Sequence, residues 1–367
     1  MNTNKDSVFL EMAYGLAEKA KGWSSPNPYV GAVIVKRGAI IGTGFHEKPG
    51  NPHAEVIALQ KAGSQARNAT AYITLEPCVH WGRTPPCVDS LIQAGIKRVV
   101  VSALDPNPLV HKKGIQKMKQ AGIQVTSGLL EEKNNRLNEI YNKYIRQNLP
   151  FVTAKIAASL DGKIATRTHD SKWITSTQTR KYTHLLRAEH MAIMVGINTL
   201  LNDDPRLTVR HPRWRKKQLI RVIIDTKLRF PLGAKLLKTG SRGRILVFTH
   251  ESQKSKKAQE LRKKGAEIIT VRSSRSGKLD LNEIFAWLGQ NEISSVLVEG
   301  GAFLLTNLIE KQLADKVFIT LSSKLIGGEK APTFFEGKGF SSVAQAIRLR
   351  KTNCYTIGKD IILEGYL

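Results

Sequence analysis

The chain has 367 residues, of which 41% are hydrophobic and 24% charged, and its mean hydropathy is −0.24. Such a chain is long enough for two domains with separate cores, and its composition excludes a disordered or low-complexity protein. The formal net charge of +27 is carried as an excess of +8 over residues 1–148 (19 Lys+Arg against 11 Asp+Glu) and of +19 over the remainder (38 against 19).

An amphipathic helix is expected over residues 6–21, built on Val8, Phe9, Met12 and Leu16. Lys5, Asp6, Glu11, Glu18 and Lys19 break it up too often for a signal peptide, and no apolar run reaches the 18 or so residues of a membrane span. Strands follow at 29–36 and 39–45, turned by Lys36-Arg37-Gly38, and then a helix from His53. A strand at 70–75, a helix from 86, a strand at 97–102, a helix at 111–121 and a strand at 123–127 complete a layered α/β domain. A charged helix over 131–148 ends it, and Asn148-Leu149-Pro150 reads as a linker, which sets the domains at 1–148 and 149–367. Beyond the linker, strands are expected at 151–157, 192–196, 221–225, 244–249, 267–271, 295–298 and 315–320. Helices at 177–189, 252–264, 282–290 and 302–312 alternate with them, so the second domain is again α/β.

Chemistry concentrates between His53 and Cys87, in the segments HAE and EPCVHWGRTPPC. An isolated H-x-E is common by chance and usually marks only a helix start. Here one imidazole and two thiols, His53, Cys78 and Cys87, supply three zinc ligands and leave the fourth tetrahedral position to water, the arrangement of a catalytic zinc rather than a structural one. His53 and Cys87 each open an apolar-periodic run, and the positive end of a helix favours the thiolate that binds metal. Zinc at such a site lowers the pKa of its water to about 7. Glu55, two residues past His53, is then free to act as general acid and base, as the non-ligand glutamate does in zinc nucleobase deaminases. The usual spacing in that class is C-x-x-C, whereas eight residues separate Cys78 from Cys87. Three cysteines, two of them used by metal, suit a reducing cytoplasm.

HAE with TLEPCVHWGRTPPC closely resembles the bifunctional deaminase/reductase family of riboflavin biosynthesis, which has this extended cysteine spacing. The likeness runs along nearly the whole chain, through PNPYVGAVIVK, DPNPLV, KIAASLDGKIA, SKWIT, LNDDPRLTVR and VEGG. It implies a cytidine-deaminase-like three-layer domain followed by a dihydrofolate-reductase-like α/β domain. The first would use zinc to deaminate 2,5-diamino-6-(5-phosphoribosylamino)pyrimidin-4(3H)-one, and the second would use NADPH to reduce the ribosyl side chain of the resulting uracil to ribityl. By the same resemblance Asn27 recognises the pyrimidine or the ribose, and His46 and His80 belong to the substrate pocket, His80 as a non-metal residue. On its residues alone Asn27 reads equally as a turn former in Pro26-Asn27-Pro28. Arg83 belongs to the same loop as His80. The chain departs from the family at Val79, Trp81 and His111-Lys112, where a small residue and a glycine usually precede the Lys-Gly.

In the second domain VLVEGG is a buried strand that runs into two glycines and a helix, a turn able to meet a phosphate, although it lacks the G-x-G-x-x-G fingerprint. The resemblance places NADPH at Gly300 and Gly301 and at Ala157, Trp173, Thr199 and Asp203. It places substrate at Ser171, Arg187, Leu207, Arg210 and Glu299, with Arg187 and Arg210 as bidentate phosphate ligands. Trp173 reads alternatively as core, Asp203-Asp204-Pro205 as a turn, and Lys155 as a snorkelling lysine or a partner for a polar substrate. The basic clusters Arg213, Arg215, Lys216, Lys217 and Lys254, Lys256, Lys257 read as solvated surface compatible with small phosphate-bearing substrates. Two other readings compete. A nucleic-acid-binding deaminase would bind in a steeply salt-dependent way, and a zinc-stabilised interaction module needs a fourth protein ligand. The reading adopted has small-molecule partners, no nucleic acid and no membrane, and is compatible with a homo-oligomer.

Overall fold

The computed structural model describes residues 3–81, 85–239, 243–272 and 277–367. The chain divides into two compact units, Met1–Asn148 and Leu149–Leu367.

The first unit runs α1 (Thr3–Ala17), β1 (Gly31–Lys36), β2 (Ala39–Phe45), α2 (Ala54–Ala62), β3 (Thr70–Leu75), α3 (Cys87–Gln93), β4 (Arg98–Ala103), α4 (Lys113–Gln120), β5 (Gln124–Ser127), α5 (Glu131–Leu137) and α6 (Glu139–Gln147). Among the described residues its sheet has five strands in the order β2-β1-β3-β4-β5, with β1 antiparallel to both neighbours and β3, β4 and β5 parallel. Apolar residues alternate between its faces. Ala32, Ile34, Ile73, Val99 and Val101 pack on Ala54, Ala58, Val88, Leu91 and Met118 of α2, α3 and α4. Val33, Val35, Tyr72 and Val100 pack on Leu10 and Ala13 of α1. The result is three layers, helix, sheet and helix.

The expected helix over 131–148 is two helices. Asn138 stands between them at φ −104°, ψ 23°. Its side chain exchanges both amide bonds with the backbone of Tyr29, Oδ1 accepting from N at 2.7 Å and Nδ2 donating to O at 3.1 Å. Asn134 likewise donates to the Thr74 carbonyl at 2.5 Å. Two buried amides that complete strand-end hydrogen bonds override the helix propensity of the charged residues around them.

The second unit runs β6 (Phe151–Ser159), α7 (Thr177–Glu189), β7 (Ala192–Gly196), α8 (Ile197–Asp203), β8 (Ile220–Ile224), β9 (Ile245–Thr249), α9 (Lys256–Lys263), β10 (Ala266–Thr270), α10 (Leu281–Gln290), β11 (Ser295–Glu299), α11 (Ala302–Glu310), β12 (Lys316–Ser322), β13 (Arg350–Ile357) and β14 (Asp360–Tyr366). Among the described residues these form a nine-stranded sheet in the order β10-β9-β8-β7-β11-β6-β12-β14-β13. Its strands are parallel from β10 to β12, and the antiparallel β14 and β13 close one edge. The α10 and α11 residues Ile284, Phe285, Leu304 and Leu308 cover one face with Val222, Leu246 and Val296, and Leu200 and Leu261 help cover the other with Ile193, Ile223 and Val247. The β13-β14 hairpin and α8 went unread in the sequence. β13 is an edge strand with mostly exposed, polar side chains, so it carries no apolar alternation. No helix among the described residues is long and apolar enough to cross a membrane.

Candidate active sites in the two units

In the first unit, α2 lies directly on β2. A Cβ at Gly42 or Gly44 would strike the carbonyls of Ala58 and Ala54, so the two glycines set the depth of the helix and thereby of His53, its N-cap residue. Cys87 opens α3 behind Pro86. The loop after β3 folds Cys78 onto that helix start, where the Cys78 carbonyl accepts from Val88 N at 3.2 Å and its sulfur from Cys87 N at 3.4 Å. Nδ1 of His53 then stands 3.1 Å from Sγ of Cys87 and 3.6 Å from Sγ of Cys78. The three donor atoms lie within 4.8 Å of one another, and among the described residues no fourth His, Cys, Asp or Glu joins them.

Cys78 is the more acidic of this pair. The Cys87 thiol, His53 and the Cys87 amide all donate to it and hold its pKa down to about 4 against the effect of burial, while sharing that proton and burial push Cys87 up. One imidazole nitrogen and two sulfurs are the chemistry zinc selects. Glu55, in the first turn of α2, is 5% exposed and outside the donor group. Burial raises its pKa, so a proton rests on it more readily than on a surface carboxylate.

His46 and Asn27 adjoin the group. The His46 ring meets that of His53 edge-on at 5.2 Å between centroids, and burial holds it neutral. Its Nδ1 faces the Pro52 carbonyl at 3.3 Å, so Nδ1 carries the proton and Nε2 accepts from Asn27 Nδ2 at 3.0 Å. Among the described residues Nδ1 of His80 is buried without a hydrogen-bond partner, an orphan that fits a pocket for a polar ligand. Arg83 lies outside the described residues.

Glu76, immediately before Pro77-Cys78, was not anticipated. Its carboxylate accepts three backbone N–H groups, from Asp105 at 3.3 Å, Lys112 at 3.0 Å and Ile115 at 3.2 Å, and so ties the 105–115 loop to the cysteine loop. That bond explains the departure at Lys112. The residue sits at φ 63°, the left-handed conformation that glycine supplies without strain. The chain accepts lysine there because the loop is fixed by Glu76 and because the side chain is exposed. Lys112→Gly is therefore expected to stabilise the first unit by about 1 kcal/mol, read as a higher urea midpoint. A lower midpoint would mean that the lysine side chain holds the loop.

In the second unit a cleft of about 440 Å³ opens toward the C-terminal ends of β6, β7 and β11, the usual place for a ligand in an open parallel sheet. Lys155, Ala157, Ser171, Trp173, Arg187, Thr199, Asp203, Leu207, Arg210, Glu299, Gly300 and Gly301 all line it. Gly300 and Gly301 turn at φ 86° and 67°, and a Cβ on Gly300 would press on Thr199 at 3.0 Å, so the glycine turn and α8 meet closely. Trp173 is 60% exposed and therefore not core, and the Arg180 guanidinium covers its ring at 4.5 Å. Asp203 ends α8 and Asp204 caps it at φ 41°, so the segment is a turn as well as a wall of the cleft. Leu207 packs its side chain into the core on the α8 side of the sheet.

Arg187 differs from the expectation of a free phosphate ligand. Its guanidinium grips Glu299 through Nε to Oε1 at 2.7 Å and Nη2 to Oε2 at 2.8 Å, and Nη1 donates to the Thr208 carbonyl at 3.2 Å. Burial pushes the Glu299 carboxyl up, but Arg187 and then Lys155, its neighbour across β6 and β11, hold it down at about 2. Arg210 is exposed and has no ion pair among the described residues, so its guanidinium is open to an anionic ligand. Sequence reading also missed Arg180, Thr183 and His184, which line the cleft. With Arg187 they form a polar stripe at helical spacing along α7, and that stripe was the available signal.

The family model for the RibD C-terminal domain matches residues 150–363, and that for the cytidine and deoxycytidylate deaminase zinc-binding region matches residues 3–103. The chain belongs to the RibD family. It is 43% identical to riboflavin biosynthesis protein RibD of Aquifex aeolicus over 98% of this chain and 97% of that one. The Escherichia coli RibD is 38% identical over 98% of this chain and 99% of its own. Among solved structures, Acinetobacter baumannii RibD superposes with a TM-score of 0.89 at 37% identity, covering 100% of this chain and 99% of that one. The diaminohydroxyphosphoribosylaminopyrimidine deaminase/5-amino-6-(5-phosphoribosylamino)uracil reductase of Thermotoga maritima gives 0.86 at 35% identity, with 100% and 99% coverage. The chain is accordingly a bifunctional deaminase and reductase of riboflavin biosynthesis, with zinc and NADPH as its cofactors. Its folds are the cytidine-deaminase-like and RibD reductase folds.

Proposed function

We propose that residues 1–148 deaminate diaminohydroxyphosphoribosylaminopyrimidine and that residues 149–367 reduce the product, 5-amino-6-(5-phosphoribosylamino)uracil, with NADPH. The observation that carries the first half is the grouping of one imidazole nitrogen and two sulfurs within 4.8 Å beside a buried carboxyl that is not one of them. His53, Cys78 and Cys87 would hold zinc, which would supply a water made nucleophilic near neutral pH. Glu55 would carry protons on its carboxylate, one to the adjacent ring nitrogen and one to the departing amine nitrogen, and its burial suits a group that must both accept and release a proton. Asn27 turns one amide hydrogen to His46 and keeps Oδ1 for the substrate, while His80 belongs to the same pocket.

In the reductase cleft, Gly300, Gly301, Thr199, Trp173, Asp203 and Ala157 receive the dinucleotide. The glycine turn presents backbone N–H groups to its phosphates. Lys155, Glu299, Ser171, Leu207 and Arg210 receive the phosphoribosyl uracil, and Arg187 positions Glu299 by its two-bond grip. The basic excess serves small anionic substrates and solvation rather than nucleic acid, and the enzyme acts in the cytoplasm.

The full chain, given the diaminopyrimidine alone, is expected to release ammonia, and to oxidise NADPH only once NADPH is added. NADPH oxidation with no prior ammonia would reverse the order of the two steps. Metal analysis is expected to find about one zinc per chain and little in Cys87→Ser. Full zinc in both Cys78→Ala and Cys87→Ala would remove these residues from the metal site.

A further inference from the structure

His184 precedes Arg187 by three residues on α7, and both side chains line the reductase cleft. The imidazole is 9% exposed, and its Nδ1 accepts the backbone N–H of Arg210 at 3.3 Å. A ring nitrogen that accepts from an amide carries no proton, so the single proton of the neutral ring sits on Nε2. Among the described residues Nε2 has no hydrogen-bond partner, yet it is not one of the sealed orphan atoms, so it stays accessible on a residue that lines the cleft. The ring stays neutral because burial, and then Arg187 and Arg210, hold its pKa down to about 4. Glu299 opposes them and His211 adds to them more weakly.

The neighbouring charges indicate what this donor faces. Arg187 is committed to Glu299, whereas Arg210 and the nearby Arg206 have no ion pair among the described residues. A phosphate takes hydrogen bonds from several sides. A neutral N–H beside two guanidinium groups adds one without adding to the repulsion between the cations. The bond from Arg210 N to the ring also fixes the stretch that carries Leu207 and Arg210.

Building on the cleft as the site of the uracil substrate, we propose that His184 is a specificity-determining residue of the reductase, its Nε2–H donating to a phosphate oxygen of the substrate beside Arg210. Gln at this position keeps a donor and an acceptor, and Leu keeps neither.

Two measurements on the full chain test this. In protein labelled with nitrogen-15 histidine, the His184 ring, assigned by its loss in His184→Gln, is expected to keep the neutral Nε2–H pattern from about pH 5.5 to 8. An imidazolium pattern in that window overturns the proposal. In steady-state kinetics, His184→Leu is expected to raise KM for 5-amino-6-(5-phosphoribosylamino)uracil by about 10- to 100-fold, the loss of one hydrogen bond to a charged group. KM for NADPH should not change, and His184→Gln should recover most of the loss. The dephosphorylated ribosylamino compound should be insensitive to His184→Leu. An unchanged KM, or an equal loss with both compounds, overturns the assignment to phosphate. Arg210→Ala, run in parallel, tells the two levels apart. If it also leaves KM unchanged, the reading of the cleft has failed, and if it raises KM while His184→Leu does not, only the imidazole's role has.

Discussion

Glu55→Gln is expected to keep the zinc and the fold of the first unit and to lower ammonia release by about 10²- to 10⁴-fold, the usual contribution of a positioned proton carrier. The substitution is nearly isosteric, and Glu55 stands outside the three-donor group, so metal content should match the parent. Burial raises the pKa of Glu55, which poises the carboxyl to exchange a proton. An amide of the same shape fills the pocket but exchanges none. The reductase cleft draws all its lining residues from beyond residue 149, in a unit with its own core. Given the already deaminated uracil, the variant should therefore oxidise NADPH at the parent rate. Near-normal ammonia release would show that another group moves the proton. A parallel fall in NADPH oxidation would show that the two activities are coupled.

The regularities that made the chain readable are local ones. Strands β3, β4, β7 and β9 are short apolar runs bounded by turn residues, and α7 begins at a Ser176 cap whose oxygen accepts from Thr179 N, so pattern and boundary agree there. His53 and the two cysteines were legible because metal chemistry restricts residue type and places its ligands at element ends. What escaped depends on partners distant in sequence. Nothing in the segment EEKNNRLNEI says that Asn138 will bond to Tyr29 and break a helix. Arg187 and Glu299 are 112 residues apart, so neither reveals that it neutralises the other. Glu76 looks like part of a motif, and its service to three backbone amides appears only once the loop has folded onto it.

Arg187→Met is expected to destabilise the second unit by about 3–5 kcal/mol, because it strands a buried carboxylate that was held by a two-bond ion pair. Both side chains are largely shielded, at 14% and 13% exposed, and Lys155 alone is left to balance Glu299. Arg187→Met with Glu299→Leu removes both charges and should recover much of the loss, since the desolvation cost goes with the attraction. Acid sharpens the comparison. The pKa of Glu299 in the folded chain, about 2, lies below its ordinary value of 4.5, so the folded state binds this proton less readily than the unfolded state does. The carboxylate's contribution is therefore complete above about pH 4.5 and is lost as pH falls toward 2, a change on the order of 3 kcal/mol. Over that window the parent's stability should fall toward that of the double variant, measured by calorimetry of the full chain at a series of pH values. A constant gap between the two, or an Arg187→Met transition at the parent temperature, would mean that water rather than Arg187 neutralises Glu299.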